Sequence, residues 1–447
     1  MSVPIAFSNK ARRTGEQPIS YLIAIAKANP GLISFAAGLV DPLTLPGAET
    51  AQIAQRLLSD EARSRDVLQY GTTNGLAPLR VEIVKHLAKL DNLPAAAMNL
   101  SADNVVLTTG SQQALYILAD ILLDPGDIVL VEAPSYFVYA GALQSFGARM
   151  IGVPMDRDGM VVEEIDRILS RLAERGELGR VKAVYCQSYF QNPTGLTLSL
   201  ERRKRLVEIV KKHSSRHRIV IIEDAAYREL SFSDAGLPSI KSFDPDNSTV
   251  ISCYTFDKPY AAGLKAGYVV APPEIARAIV DQKGNHDFGS SHLCQHIVYE
   301  ALIGGVYAKH VAKLRESYKA KADVMLAALN EFLPPGFAST RPGSIQWTIP
   351  GGGLYTWLSL PIGADTSRVG KLFERALAEG VLYVPGEYCF SDAEARHHES
   401  GPVPQNHMRL CYATTPIEQI RPGVEKLARA IEASLAKEGQ CLAQTAK

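Results

Sequence analysis

The chain carries no net charge. Its 447 residues include 47 lysines and arginines against 47 aspartates and glutamates. No long basic run interrupts that balance, so there is no electrostatic footprint for nucleic acid or for an anionic membrane surface. Paired-cysteine motifs are also missing. Cys186, Cys253, Cys294, Cys389, Cys411 and Cys441 lie far apart with no C-x-x-C, which argues against a disulfide framework or a zinc knuckle and reads as reduced, mostly buried thiols. No window approaches the roughly 18–20 apolar residues of a membrane span. The opening MSVPIAFSNKARRTGEQ lacks the apolar stretch of a signal peptide, and a cytoplasmic protein is expected. Repeats and low-complexity segments are absent. What remains is an ordinary globular composition, 46% hydrophobic and 21% charged. It suits two or three domains, or one large core with an accessory lobe, working on a small molecule.

From about Asp103 to Val270 short β-rich runs alternate with helical stretches, which predicts an α/β core with a largely parallel sheet. The expected strands are Asn104 to Thr108, Ile128 to Glu132, Met150 to Val153, Val181 to Cys186, Ile219 to Glu223, Val250 to Tyr254 and Gly267 to Val270. They are rich in Val and Ile, as strands covered on both faces must be. The helix Leu200 to His213 places Leu200, Leu206, Ile209 and Val210 on one face. Beyond Pro272 long helices are expected to about Glu331, and Pro334, Pro335 and Gly336 mark a boundary. A smaller α+β lobe follows, with strands at Gly353 to Leu360 and Met408 to Cys411 and helices from about Ser367 to Glu379 and Pro416 to Lys437. The expected division is a large domain at 46–330, with 1–45 and 331–447 forming the small domain and its N-terminal segment.

Four segments carry chemistry. In SCYTFDKPYAAGLKAGYVV, Lys258 follows a strand in a turn where restricted solvent would lower an amine's pKa and favour a Schiff base. Thr255 and Lys265 flank it and can reach a common anion. In LTTGSQQALYIL a strand ends in a Thr-Gly-Ser turn that opens a helix. There the free amides of Ser111 and Gln112 would face an anion while Gly110 lets the backbone approach; an ordinary N-cap is the plainer reading of that turn alone. VIIEDAAY ends a core strand in two carboxylates at the edge where ligands bind in open α/β sheets, and Asp224 could keep a ring nitrogen protonated. QSYFQNPTG runs into turn chemistry that would hold Asn192 rigidly as a donor to a phenolate oxygen. Together these are the groups that pyridoxal 5'-phosphate requires.

TGSQQAL, QNPTG, EDAAY, the lysine segment and NHMRLCYA occur in the order of the class I and II aminotransferases of fold type I. The chain resembles that family from SFAAGL to its final helix, and most of all the branch of 2-aminoadipate and kynurenine aminotransferases. The resemblance implies the fold type I architecture of pyridoxal-phosphate enzymes. It implies Lys258 as the cofactor-binding lysine and proton shuttle, and Asp224 on the pyridinium nitrogen. It also implies Asn192 and Tyr227 on the ring oxygen and Tyr136 stacked on the ring face. Gly110, Ser111, Gln112, Thr255 and Lys265 would hold the phosphate, joined by Tyr70 from the partner subunit of a homodimer. Arg409 would grip the substrate carboxylate and Gly38 would line the substrate pocket. The implied reaction moves an amino group from an α-amino acid to a 2-oxo acid by a ping-pong cycle.

Two positions depart from the family: Lys265 stands where arginine is usual, and Asp257 where serine or threonine precedes the lysine. They motivate an alternative in which the same scaffold performs β/γ-elimination, replacement or annulation, with S-adenosylmethionine as one candidate substrate, or amino-acid oxidation. A ligand-sensing regulator is a further reading, opposed by the presence of both Lys258 and Asp224 and by no preceding helix-turn-helix. Pro18 to Lys27 has no arginine, which an acidic substrate side chain would call for. His292 and His296 are four apart on an expected helix but lack a third ligand of obvious spacing, so no metal site is expected. His397, His398 and Glu399 lie in a polar loop from Ser391 to Asn406, read as a surface excursion. Arg202, Arg203, Lys204 and Arg205 read as a solvated helix face, and Tyr355 and Trp357 as small-lobe core.

Overall fold

The computed structural model describes residues 5–234, 236–334, 344–390 and 403–445, with side chains to Leu435. Pro335, Gly336 and most of the Ser391–Asn406 loop, with its histidines, lie outside the described residues, as does the Cys441 side chain. All seven expected core strands form, within a residue or two of the expected bounds except that the third is longer. Side by side they run Val105–Thr108, Gly267–Val270, Val250–Thr255, Val220–Asp224, Val181–Cys186, Ile128–Ala133 and Arg149–Asp156, with the short Gly159–Met160 as an eighth strand at the edge. The five strands from Val250–Thr255 to Arg149–Asp156 pair in parallel. Val220–Asp224 is buried at every position, as a strand covered on both faces should be. One face packs on the helices Gly110–Leu122, Phe137–Phe146 and Pro273–His286 through residues such as Leu115, Leu118, Leu143 and Ile279. The other packs on Val162–Glu174 and Leu200–His213 through Ile165, Leu169, Leu206 and Ile209.

Gly267–Val270 is the exception to the parallel order, pairing antiparallel with both neighbours. Its connection from Val250–Thr255 is only the segment 256–266, too short for a crossover, so the chain folds straight back. That hairpin tip carries Lys258.

A four-stranded antiparallel sheet in the order Gln346–Trp347, Tyr355–Ser359, His407–Cys411 and Val384–Pro385 forms the smaller lobe's core. The helices Lys371–Glu379 and Ile417–Thr445 accompany it. The N-terminal segment joins this lobe: Ile33–Ser34 pairs in parallel with Val381–Leu382, and Cys411 N donates to Phe35 O at 2.8 Å. Five described cysteines are free and four of them are buried. No helix among the described residues is long and apolar enough to cross a membrane.

The basic run on the Leu200–His213 helix is not a uniformly solvated face. Arg203 is fully buried. Its guanidinium donates to the carbonyls of Leu198 and Pro238 at 2.9 Å each and to that of Ser188, and it lies 4.1 Å over the Tyr189 ring. Composition hid this because one of four consecutive basic residues points inward, while Leu200, expected on the apolar face, is 47% exposed. Arg203 therefore pins both ends of the 188–198 loop that carries Asn192. Arg203→Leu should remove the side-chain donor from three carbonyls, two of them on buried residues, and destabilise the chain by about 2 kcal/mol, read as a lowered urea midpoint with an unchanged slope.

Candidate active site

Sheet register builds the first corner of the site. Thr108 and Thr255 both pair with Gly267, one from each side, so the turns that follow those two strands emerge next to each other. Gly110 opens its helix with φ +71°, and Thr109 supplies no side-chain cap, which leaves first-turn amides for an external acceptor. A Cβ on Gly110 would stand 2.7 Å from Asp257 Oδ2 and 3.4 Å from Lys265 Nζ; both the positive φ and this approach require glycine. Lys265 Nζ lies 3.3 Å from Asp257 Oδ2. The Thr255 hydroxyl accepts from Asp257 N at 3.0 Å and donates to Ala266 O at 3.3 Å. Asp257 Oδ1 and Gln112 Oε1 are buried without a partner among the described residues. Burial raises the Asp257 carboxyl above its ordinary pKa, with Lys265 and Lys258 pulling the other way. The corner is thus an anion cradle in which a carboxylate already stands beside the cation.

Lys258 sits in a single π-helical turn, Asp257–Ala261, and its Nζ donates to Gly38 O at 2.8 Å. Burial lowers the amine's pKa, opposed chiefly by Asp257, so the neutral, nucleophilic form is favoured relative to a surface lysine. From Lys258 a continuous line of contacts crosses the site. A Cβ on Gly38 would lie 2.4 Å from the Tyr355 hydroxyl. That hydroxyl is 3.1 Å from the Tyr227 hydroxyl, and the Arg409 guanidinium lies 4.5 Å over the Tyr355 ring. Arg409, 1% exposed, donates to Asn192 Oδ1 at 2.8 Å and to Ala36 O at 2.7 Å, while its Nε is buried without a partner among the described residues. Both acceptors are neutral. A buried cation so placed, with a donor to spare, is suited to a carboxylate.

The far wall is made by strand ends. Asp224 Oδ2 accepts from the Tyr185 hydroxyl at 2.9 Å and Gln187 Nε2 at 3.0 Å, and Oδ1 accepts from Ala226 N at 3.2 Å. All three donors are neutral, and burial raises the Asp224 pKa; a cationic N–H placed against it would restore the charged form. Gln187 Oε1 in turn accepts from Asn192 N at 2.7 Å. Glu132, pushed up to about 8 by burial, accepts from Gln187 N and Gln191 Nε2 at 3.1 Å each and so fixes the same loop. Burial, then Asp224, raises the Tyr136 hydroxyl while Arg409 opposes; the Tyr136 ring lies 6.1 Å from that of Phe137, over which the Arg409 guanidinium sits at 5.5 Å.

Lys258, Gly38, Tyr227, Arg409, Asn192, Asp224 and Tyr136 therefore converge, and Gly110, Ser111, Gln112, Thr255 and Lys265 form the adjoining corner. Tyr70 does not join them: it is 81% exposed, with its ring edge-on to Phe288 at 5.7 Å. Tyr355, read from sequence as lobe core, belongs to the site, whereas Trp357 is core as expected, stacked on His407 at 5.3 Å. Sequence reading also passed over Tyr185, Gln187 and Glu132. Gln187 and Glu132 end strands in the same manner as Asp224, a signal that was available; for Tyr355 none was.

The family model for aminotransferase class I and II matches residues 31–427. The aromatic-amino-acid aminotransferase 1 of Thermococcus litoralis is 34% identical over 96% of this chain and 95% of its own length. The multiple substrate aminotransferase from Thermococcus profundus superposes with a TM-score of 0.84 at 35% identity, covering 96% of this chain and 98% of that one. LysN, the alpha-aminoadipate aminotransferase of Thermus thermophilus, solved with N-(5'-phosphopyridoxyl)-L-leucine, superposes with a TM-score of 0.79 at 34% identity, covering 96% and 98%.

The cradle predicts an unusual pH response. Asp257 is faced by Lys265 and Lys258 and by the Thr255 hydroxyl. Ionising it sets a negative charge beside a bound phosphate, at a cost of up to about 4 kcal/mol at 4 Å and an effective dielectric of about 20, part of it offset by the Lys265 ammonium. Asp257→Asn should therefore bind pyridoxal phosphate about tenfold more tightly than the wild-type chain at pH 8. The gap should narrow as the pH falls and the wild-type carboxyl, its pKa raised by burial, takes up its proton. Equilibrium dialysis across that range measures it.

Proposed function

The chain belongs to the aminotransferase class I and II family, and from that premise we propose how its own residues carry the reaction. The protein is a pyridoxal-phosphate-dependent aminotransferase acting on an α-amino acid and a 2-oxo acid. The observation that carries the reading is the contact line from the Lys258 amine through Gly38 and Tyr355 to the Arg409 guanidinium. It supports the reading because a part-buried amine and a buried guanidinium stand at its two ends.

The residues fit the cofactor. Gly110, Ser111, Gln112, Thr255 and Lys265 would hold its phosphate, Asp224 its ring nitrogen, Asn192 and Tyr227 its ring oxygen, and Tyr136 its face. When bound, the cofactor supplies a carbonyl that condenses with amines and a ring that takes up the electron pair left on the substrate α-carbon. Arg409 Nε, together with a terminal N–H, would bind the α-carboxylate in a bidentate pair and fix the α-carbon in front of Lys258. Lys258 Nζ, its basicity reduced by burial, would then take the α-proton and return it at the neighbouring carbon. Because Arg409 already bonds Asn192 Oδ1, the Asn192 amide group keeps its N–H donors for the ring oxygen. Tyr355 positions Tyr227 through their hydroxyl contact.

We assign Gly38 to the substrate pocket through its carbonyl, and Tyr70 to the phosphate of a partner's site in a homodimer. The exposed apolar side chains Leu39, Leu43, Leu68, Tyr70 and Phe288, which a dimer would cover, support that assignment. We further take 46–330 as the cofactor-carrying unit, with 1–45 and 331–447 as the smaller one, and a cytoplasmic location.

Titrating the purified holoenzyme with single amino acids, aromatic, acidic and aliphatic, should convert its visible absorbance stoichiometrically with the true donor, and a 2-oxo acid should restore it. Lys258→Ala should abolish both that conversion and turnover; retained turnover without the amine would refute the assignment. Arg409→Ala should raise KM by about a hundredfold. An unchanged KM in a folded variant would mean that the carboxylate is held elsewhere.

A further inference from the structure

Away from this pocket, two helices meet through a cluster the proposed reaction does not use. The helix Glu61–Val67 presents Asp66 and the helix His292–Ile303 presents His292 and His296. The two histidine Nε2 atoms lie 3.1 Å apart, with the rings edge to face at 4.6 Å. His296 Nε2 is 3.9 Å from Asp66 Oδ2, and the three ligand atoms all lie within 4.8 Å of one another. Histidines four apart on a helix are a metal-chelating pair. The third ligand that sequence spacing did not reveal comes from another helix, more than two hundred residues earlier.

The distances fit one ion. Two atoms bonded to zinc at about 2.0–2.2 Å lie no more than roughly 4.2 Å apart, and about 3.3 Å apart at a tetrahedral angle. The 3.1 Å and 3.9 Å separations meet that limit. Asp66, with 72% of its side chain exposed, is free to close the remaining separation from His292. A hydrogen bond between the rings places one proton between two nitrogens and gives Asp66 no part, whereas an ion engages all three groups. One turn on, Glu300 is paired with Arg63, so the neighbouring acid and base neutralise each other and leave the cluster its own charge. His292 Nδ1 is buried without a partner among the described residues, so the ring engages them through the nitrogen that faces the cluster.

We propose that Asp66, His292 and His296 bind a divalent transition-metal ion, with solvent completing its coordination. Two imidazoles and one carboxylate select an ion of zinc's class over magnesium or calcium. The ion clamps the Asp66 helix to the His292 helix. It also braces the loop before Thr72, because the His292 ring fills the space where a Cβ on Gly71 would stand, 2.4 Å from Nδ1.

The test is a calorimetric titration of chelator-treated, dialysed holoenzyme with zinc alone. The wild-type chain should bind one ion per chain at this site. Asp66→Asn should weaken that binding at least tenfold, and the double variant His292→Gln, His296→Gln should abolish it, with the cofactor absorbance unchanged in both. Because the Asp66 side chain is largely exposed, that variant keeps the test alive if the double variant fails to fold. A wild-type chain that binds no zinc, or an Asp66→Asn chain that binds it as tightly as wild type, overturns the proposal.

Discussion

A guanidinium taken out of water must be given acceptors, and the way Arg409 obtains them organises the protein. Its two bonds reach Asn192 on a loop of the large sheet and Ala36 in the N-terminal segment, while its own strand belongs to the small sheet. One buried cation thus ties three parts of the chain together at the pocket. Both acceptors are uncharged, and the desolvation of the arginine is only partly offset until an anion arrives. Affinity for a carboxylate is in that sense built into the folded state.

The opposite wall solves the complementary problem with buried acids. Glu132, Glu223 and Asp224 all end central strands. Glu223 is satisfied by the Ser188 and Ser252 hydroxyls and by Ile240 N, and Glu132 by the loop amides. These two lock the backbone around Asn192, while Asp224, whose donors are equally neutral, faces the pocket. Three acids at strand ends therefore differ in function through the direction in which each side chain points.

Much of this was legible in the sequence, for definite reasons. Val- and Ile-rich runs specify strands buried on both faces, and the residues that break those runs at their ends, such as Asp224 and Thr108, are the ones that can face a ligand. What was not legible depends on side-chain direction. Tyr355 and Trp357 alternate on one strand and look alike in composition, yet one reaches the Tyr227 hydroxyl and the other stacks on His407. Arg203 is indistinguishable from its basic neighbours until helix packing turns it inward. The departure at Asp257 was visible, but its approach to Gly110 is set by the shared register at Gly267, which no local pattern encodes.

The N-terminal segment has a consequence for how the molecule is made. Ala36 and Arg409 are 373 residues apart in sequence, and Gly38 and Lys258 are 220 apart. During synthesis the large sheet can assemble once Val270 has emerged. The segment Ile33–Ala36 must then wait until the strands at Val381 and His407 are made and can receive it. The pocket is therefore the last part of the fold to close, because its contacts carry the largest loop-closure cost. A chain interrupted before Arg409 would hold a nearly complete core and no receptor for its substrate.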